Sequence, residues 1–189
     1  QVNGAPFNFF IAADTETIER LEKLKLTVRN SSFQYARGQL VVFSPQEDID
    51  VKQRLMASSD KKIAIANPSL SPYGKASKEL LKNLKIWNSQ KNNIVSGINI
   101  EQAYQFIKSG NVEIGIIAKS QFMRIKNQFD HSYWIPPQNL YSPINQSAVL
   151  LTDSEPSLLL REFFHTNFVL NLIQEFGYGL PHDLSLIHI

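Results

Sequence analysis

The sequence predicts an α/β fold, because short apolar strands alternate with amphipathic helices along most of its length. Apolar runs of strand length lie at residues 7–13, 63–66 and 94–97, and each is followed within a few residues by a polar helix start. Neighbouring parallel strands need a long crossover, which is usually a helix. The alternation therefore favours sheets that are largely parallel.

The first strand is predicted at residues 7–13, where aromatic and β-branched side chains favour extended structure. Asp14 follows this run, and its carboxylate can accept the first free amides of a helix. Glu16 and Glu19 then lie near the positive end of the helix dipole. Further strands are predicted at residues 40–44 and 63–66, since each of these apolar runs stops at a polar turn that contains a proline.

Two helix starts follow the predicted strands at residues 63–66 and 94–97. Ser71 is the predicted N-cap of the first helix and Pro72 its first residue. Asn99 is the predicted cap of the second helix, with Gln102 three positions later. Both helices are therefore expected to begin directly after a strand and a polar turn.

The last part of the chain is predicted with fewer regular elements. A strand is expected at residues 114–118, and the proline-rich stretch 133–143 predicts a loop or crossover with little regular structure. Another strand is expected at residues 148–151. A single helix is then predicted over residues 158–173, ended by the glycines that follow it.

Composition excludes several classes of function. The chain has 189 residues, of which 43% are hydrophobic, and this suits one globular unit or two small lobes. Its 19 Lys+Arg against 17 Asp+Glu give a formal charge of +2, too low for a nucleic-acid-binding surface. Cysteine is absent from the sequence, so thiol nucleophiles and cysteine zinc sites are excluded.

The residues that could perform catalysis are few. The histidines stand at positions 131, 165, 182 and 188, and none is at metal-ligand spacing from another with a carboxylate between them. Asp130-His131 predicts a solvated turn, and His165 predicts a partly buried, hydrogen-bonded histidine on a helix. The sequence contains no Gly-rich phosphate loop, nucleophile elbow or kinase signature. No catalytic residue is therefore predicted.

The repeated strand, turn and helix start suggests an anion site. The first amides of a helix have no partner within the helix and carry the positive end of its dipole, so two helix starts facing one cleft would bind an anion without a charged side chain. The residues leave open the alternative that Ser71 and Asn99 only cap their helices.

Several segments resemble, in the same order, sequence blocks of the periplasmic molybdate-binding proteins. IAIANP and SPYGKA, at residues 63–76, resemble the family's LAIADP and PYGRAA. QVNGAP and IAAD, at residues 1–14, resemble QIxxGAPADxFISAD. The segment at residues 99–111 resembles NVxQALxFVxxGNADLG, and EFGY at residues 175–178 resembles the closing KYGY of the family. The resemblance runs from residue 1 to about residue 181. Residues 182–189 match no part of the family pattern.

The resemblance implies a class II periplasmic binding protein of an ABC importer, with two α/β lobes joined by two crossovers and an oxyanion held between them. Residues 1–38 and 143–189 would form what remains of lobe 1, and residues 39–142 would form lobe 2 with the crossovers. The family begins with a strand and a helix ahead of the block that matches Gln1. The resemblance therefore implies an N-terminally truncated member that lacks the first strand and helix of lobe 1 and their hydroxyl groups.

The resemblance also implies the ligand and its site. Family members bind molybdate or tungstate through backbone amides and hydroxyls, with no cofactor, no catalytic residue and no metal-coordinating side chain. Carried over to this sequence, the binding amides are those of Tyr73 and Ile100. Pro72, Gly74 and Asn99 would support the two helix starts.

The implied partners are the oxyanion and the membrane permease of an ABC transporter, with no nucleic acid and a monomeric state. The implied location is the periplasm or the cell surface. Ala118 stands where some relatives carry a tyrosine hydroxyl, which leaves open another oxyanion or a small organic anion as the ligand. An enzyme or a sensor on the same scaffold is the alternative from another class, because fold does not dictate function.

Overall fold

The computed structural model describes residues 7–57, 61–128 and 130–181. The chain divides into two compact units: unit 1 comprises Gln1–Arg37 and Ile144–Ile189, and unit 2 comprises Gly38–Pro143. No helix within the described ranges is long and apolar enough to cross a membrane.

The two units are built from short strands and helices. The strands are β1 (Phe9–Ala12), β2 (Phe33–Gly38), β3 (Leu40–Ser44), β4 (Ile63–Ala66), β5 (Ile94–Gly97), β6 (Ile114–Ala118), β7 (Ser132–Trp134) and β8 (Ile144–Leu150). The helices are α1 (Glu16–Lys23), α2 (Val51–Met56), α3 (Pro72–Asn83), α4 (Trp87–Gln90), α5 (Ile100–Lys108), α6 (Lys119–Ile125), α7 (Glu155–Phe163) and α8 (Asn167–Glu175).

Unit 1 contains a three-stranded sheet in the order β1-β8-β2. β1 pairs antiparallel with β8, so that Ala12 lies opposite Ser147. Ile18 of α1 is fully buried against Ala12 and Val149, because α1 places its apolar face on this sheet. Asp14 accepts a hydrogen bond from the Thr17 amide at 2.6 Å, which is the capping contact that the sequence predicts.

Unit 2 contains a five-stranded sheet in the order β5-β4-β6-β3-β7. β4 pairs parallel with both β5 and β6, and β3 pairs antiparallel with β6 and β7. Every residue of β3, β4 and β6 is buried, as expected for strands that are covered on both faces. The unit is therefore organised around β4 and β6.

A hydrogen bond within unit 2 joins residues near the beginning and the end of this unit. The hydroxyl of Tyr141 accepts a hydrogen bond from the Leu40 amide at 3.1 Å. Leu40 lies just after the first boundary between the units, and Tyr141 lies just before the second. Burial raises the pKa of the Tyr141 hydroxyl, so this contact is held by a neutral phenol.

The structure corrects several sequence-based expectations. The sheets are mixed rather than largely parallel, because β3 runs against both of its neighbours. The stretch 133–143, predicted as irregular, contains most of β7, which pairs with the end of β3. β2, α2 and α6 were not predicted.

The predicted helix over residues 158–173 is two helices. The turn between α7 and α8 is held by hydrogen bonds between residues close in sequence. The amides of His165 and Thr166 donate to the Glu162 and Phe163 carbonyls at 2.9 and 3.1 Å. Thr166 then caps α8 by accepting from the Val169 amide at 3.4 Å. The apolar periodicity of the sequence continues through this turn and so conceals it.

The contact between α5 and β6 depends on the absence of a side chain at Gly115. A Cβ there would lie 2.4 Å from Ile107 Cδ1. Gly115→Ala is expected to lower the free energy of unfolding by about 1–3 kcal/mol through overpacking. Ile107→Val removes the nearest atom and is expected to cost about 0.5–1.5 kcal/mol alone.

The double variant should lose less than the sum of the two single losses, because the shortest of the close contacts, with Ile107 Cδ1, is removed while those with Ile107 Cγ1 at 2.9 Å and the Ala64 carbonyl oxygen at 3.0 Å remain. Urea denaturation of the four proteins measures this coupling. Strictly additive losses would contradict the packing described here.

A second prediction concerns Tyr35 of β2, whose hydroxyl donates to Gln146 Oε1 at 2.9 Å. Burial, with a smaller contribution from Tyr178, raises the pKa of Tyr35 from 10.0 to about 12. The folded state therefore keeps this proton at a pH where the unfolded state has lost it. The resulting stability is fully present below pH 10.0 and is lost as the pH rises toward 12.

Tyr35→Phe should therefore flatten the decline in unfolding temperature over that pH interval. Thermal unfolding of the wild-type protein and the variant in a series of alkaline buffers measures the two slopes. Equal slopes would show that Tyr35 does not contribute to the alkaline loss of stability.

Candidate functional site

Three helices begin at one edge of the unit 2 sheet. Because β4 is parallel to β5 and β6, the carboxyl ends of these strands lie at the same edge, and α3, α5 and α6 follow them. Ala66 pairs with Gly97 at this edge, and the Asn67 amide donates to the Gly97 carbonyl at 2.6 Å. The turns that lead into α3 and α5 are therefore neighbours.

The start of α3 has the geometry that the sequence predicts, with one difference. Pro72 is its first residue and Ser71 its extended N-cap, but the Ser71 side chain makes no capping hydrogen bond. Tyr73 is the second residue of the helix and is buried. A Cβ on Gly74 would lie 2.4 Å from the Asn67 carbonyl oxygen, so only glycine permits α3 to start this close to the end of β4.

The start of α5 is capped in the predicted manner. Asn99 Oδ1 accepts from the Gln102 amide at 2.9 Å, and Gln102 Oε1 accepts from the Ile98 amide at 2.7 Å. The amides of Ile100 and Glu101 precede the first amide bonded within the helix, and they have no acceptor among the residues that the structure describes. Two donors at the positive end of α5 are thus available to an anion.

The start of α6 contains a residue that the sequence analysis missed. Gln121 is buried, and its Oε1 accepts from the Ala118 amide at 3.0 Å. Its Nε2 donates to the Ile100 carbonyl at 3.3 Å and to Glu101 Oε2 at 2.9 Å. The interval from Ala118 to Gln121 equals that from Asn99 to Gln102, which is the one sequence signal that could have indicated Gln121.

Two charged side chains at these helix starts, Glu101 of α5 and Lys119 of α6, contact polar partners. Hydrogen bonds from Gln105 and Gln121 lower the pKa of the Glu101 carboxyl, and Arg124 adds a smaller favourable charge. Lys119 Nζ donates to Gln39 Oε1 at 2.9 Å. Among the described residues, no group of three or more His, Cys, Asp or Glu side chains could hold a metal ion.

The described histidines are not arranged for catalysis. His131 packs against the rings of Phe43 and Phe122, at centroid distances of 5.5 and 5.3 Å, so the prediction of a solvated turn at this residue is wrong. His165 Nδ1 lies 2.8 Å from the Arg161 carbonyl oxygen on an exposed turn, rather than being partly buried. His182 and His188 lie outside the described residues.

A cavity of about 380 Å³ lies within unit 1, whereas the predicted binding residues lie in unit 2. Its wall includes Thr15, Glu19, Ser147 and His165. Within this wall, Thr15 Oγ1 and Ser147 Oγ are 3.1 Å apart and form a hydrogen bond with each other. The residues that line this cavity all belong to unit 1.

Two α/β units, each with its own sheet, are the architecture of periplasmic binding proteins. The structure superimposes on the Azotobacter vinelandii periplasmic molybdate-binding protein with a TM-score of 0.83 and 30% sequence identity, over 96% of this chain and 81% of that one. The model of the family described as bacterial extracellular solute-binding proteins matches residues 2–178, and the chain belongs to this family.

Two curated relatives carry the name molybdate-binding protein ModA. The protein from Azotobacter vinelandii is 39% identical over 183 residues, which are 94% of this chain and 73% of that protein. The protein from Rhodobacter capsulatus is 34% identical over 93% of this chain and 70% of its own length. These matches confirm the family resemblance, the α/β binding-protein fold and a binding protein rather than an enzyme.

The capping of α5 by Asn99 leads to a stability prediction. Asn99→Ala removes the acceptor of the Gln102 amide and is expected to lower the free energy of unfolding by about 1 kcal/mol. Asn99→Asp keeps an acceptor and adds a negative charge at the positive end of the helix, so its stability should match or exceed that of the wild type.

Asn111→Ala is the matched control, since Asn111 is exposed and its side chain, among the described residues, bonds only Ser109, at 2.8 Å. Urea denaturation of the three variants and the wild type gives the comparison. An Asn99→Ala protein as stable as Asn111→Ala would contradict the capping role.

Proposed function

We propose that this protein binds molybdate and delivers it to the membrane permease of an ABC importer. Units 1 and 2 serve as the two lobes, and the binding groups of unit 2 are backbone amides at the starts of α3 and α5. The observation that carries this proposal is the parallel pairing of β4 with β5. Because of this pairing, the two strands end next to each other, and each is followed by the N-terminus of a helix. The names of the curated relatives support the choice of ligand.

The chemistry of the proposed amides favours a fully deprotonated dianion. Amides donate hydrogen bonds and accept none, so an oxyanion that still carries a proton leaves that proton without an acceptor. Hydrogenphosphate is disfavoured for this reason. Sulfate passes the same test and is rejected by size, because a cage fitted to a larger tetrahedral ion cannot keep short contacts with all oxygens of a smaller one.

Tungstate has the same charge and shape as molybdate, so we propose that it is bound as well. The Ala118 amide is bonded to Gln121 and its side chain offers no hydroxyl, so this position supplies no further donor to the oxyanion. Delivery to a permease requires a location in the periplasm or at the cell surface. We propose that the protein acts there as a monomer, without a cofactor and without binding nucleic acid.

Calorimetric titration with molybdate, tungstate, sulfate and phosphate tests the proposed ligand. We expect heat of binding for molybdate and tungstate, and at least about tenfold weaker binding of sulfate and phosphate, which corresponds to about 1.4 kcal/mol. A preference for sulfate or phosphate would replace molybdate with that ligand. Absence of binding to every oxyanion by the folded protein would refute the proposal.

The proposed role of the Ile100 amide can be tested with a proline. Ile100 is the first residue of α5 and Asn99 is extended, with φ −144° and ψ 178°, so both positions accept the substitution without strain. Ile100→Pro removes one donor to the oxyanion and should weaken molybdate binding by about 10- to 100-fold, as expected for one hydrogen bond to a charged group.

Ile100→Ala is the matched control, because it removes the side chain and keeps the amide. Tyr73→Phe also keeps its amide, and both control variants should bind molybdate nearly as tightly as the wild type. Thermal unfolding checks that all three variants are folded. Unchanged affinity in a folded Ile100→Pro protein would exclude this amide from the site.

A further inference from the structure

The buried side chain of Gln121 joins the starts of two helices. It extends from the first turn of α6 to the first turn of α5, about twenty residues earlier in the chain, and is only 5% exposed. Its amide group bonds the Ala118 amide, the Ile100 carbonyl and the Glu101 carboxylate. The acceptor atom and the nitrogen of the side chain are therefore both used.

The partners of Gln121 determine which way its amide group faces. The Ala118 amide can only donate, so it must meet the oxygen of Gln121. The Ile100 carbonyl and the ionised Glu101 carboxylate can only accept, so they must meet the nitrogen. A side chain that both accepts and donates is required here, and a glutamine meets this requirement without adding a charge.

We propose that Gln121 is a positioning residue for the oxyanion site, an inference that rests on the proposed function. Its bond to the Ile100 carbonyl fixes the peptide plane between Ile100 and Glu101. Because a peptide unit is planar, the same plane carries the Glu101 amide. Gln121 thus orients the Glu101 donor at the start of α5 without touching the ligand.

The bond to Glu101 has a second consequence for an anion site. A carboxylate on the first turn of α5 would repel a dianion at that helix start. Gln105 and Gln121 hold this carboxylate at 2.9 Å each, and Arg124 lies 4.0 Å from it. The other groups that act on Glu101 are Lys108 and Tyr104 of α5. Gln121 therefore helps to hold this negative charge in a fixed position and to satisfy it with a hydrogen bond.

The test replaces Gln121 with a side chain of the same shape. In Gln121→Glu, the introduced carboxyl is buried beside Glu101, and both effects raise its pKa. When ionised, it cannot donate to the Ile100 carbonyl or to Glu101. When protonated, its single hydroxyl hydrogen can donate either to the Ile100 carbonyl or to Glu101, but not to both, while its other oxygen accepts from the Ala118 amide. Gln128→Glu is the matched control, because Gln128 is exposed and its side chain donates to the Arg124 carbonyl, away from Glu101 and Ile100 in sequence.

We expect Gln121→Glu to bind molybdate at least about tenfold more weakly than the wild type at pH 8 and to regain part of this affinity at pH 6, because one of the two donor contacts can form again. Wild-type and Gln128→Glu proteins should show no comparable recovery over the same interval. A purely structural defect would not be reversed by protonation within a folded protein. Affinity equal to that of the wild type at pH 8 would overturn the inference.

A second measurement does not depend on the ligand. The amide resonances of Ile100 and Glu101 in the ligand-free Gln121→Glu protein should titrate between pH 8 and pH 6, whereas those of the Gln128→Glu protein should not. If wild-type protein binds no oxyanion, the proposed function fails, and these resonances still decide whether Gln121 orients the helix start. Resonances that do not titrate in Gln121→Glu would overturn the positioning role.

Discussion

The parallel pairing of β4 with β5 is the constraint on which the candidate site depends. Ala66 lies opposite Gly97, so the turns that follow the two strands begin at the same level of the sheet. Glycine at both turns lets the helices start close to the strands, since a Cβ on Gly97 would lie 2.6 Å from the Ala103 amide nitrogen. A shift of this register would move the start of α3 relative to the start of α5.

The helix starts could be predicted from the sequence, because the residues that determine them are local. Pro72 favours the first helical position, and Asn99 bonds the amide of Gln102 only three residues away. The role of Gln121 could not be predicted in the same way. Its partners on α5 are distant in sequence, and only the parallel packing of β4 between β5 and β6 brings them within hydrogen-bonding distance.

The errors in the predicted fold have a similar physical origin. β7 is three residues long and is defined by its pairing with β3, which its own sequence does not reveal. β2 includes the exposed Gln34 and the half-buried Arg37, so it lacks the apolar run by which buried strands are recognised. The strands buried on both faces, β3, β4 and β6, were predicted with bounds that match the structure, since burial itself demands a continuous apolar sequence.

A site of backbone amides differs from a site of charged side chains in how its selectivity arises. Amides do not titrate near neutrality, so the protonation state of the ligand and the charges close to the helix starts govern the pH response of binding. Hydrogen bonds already hold the Glu101 carboxylate in its ionised form, which removes the nearest acidic group from that response. Neutral side chains such as Gln121 can then orient the donors without adding a charge of their own. The discrimination between oxyanions is left to their protonation and their size.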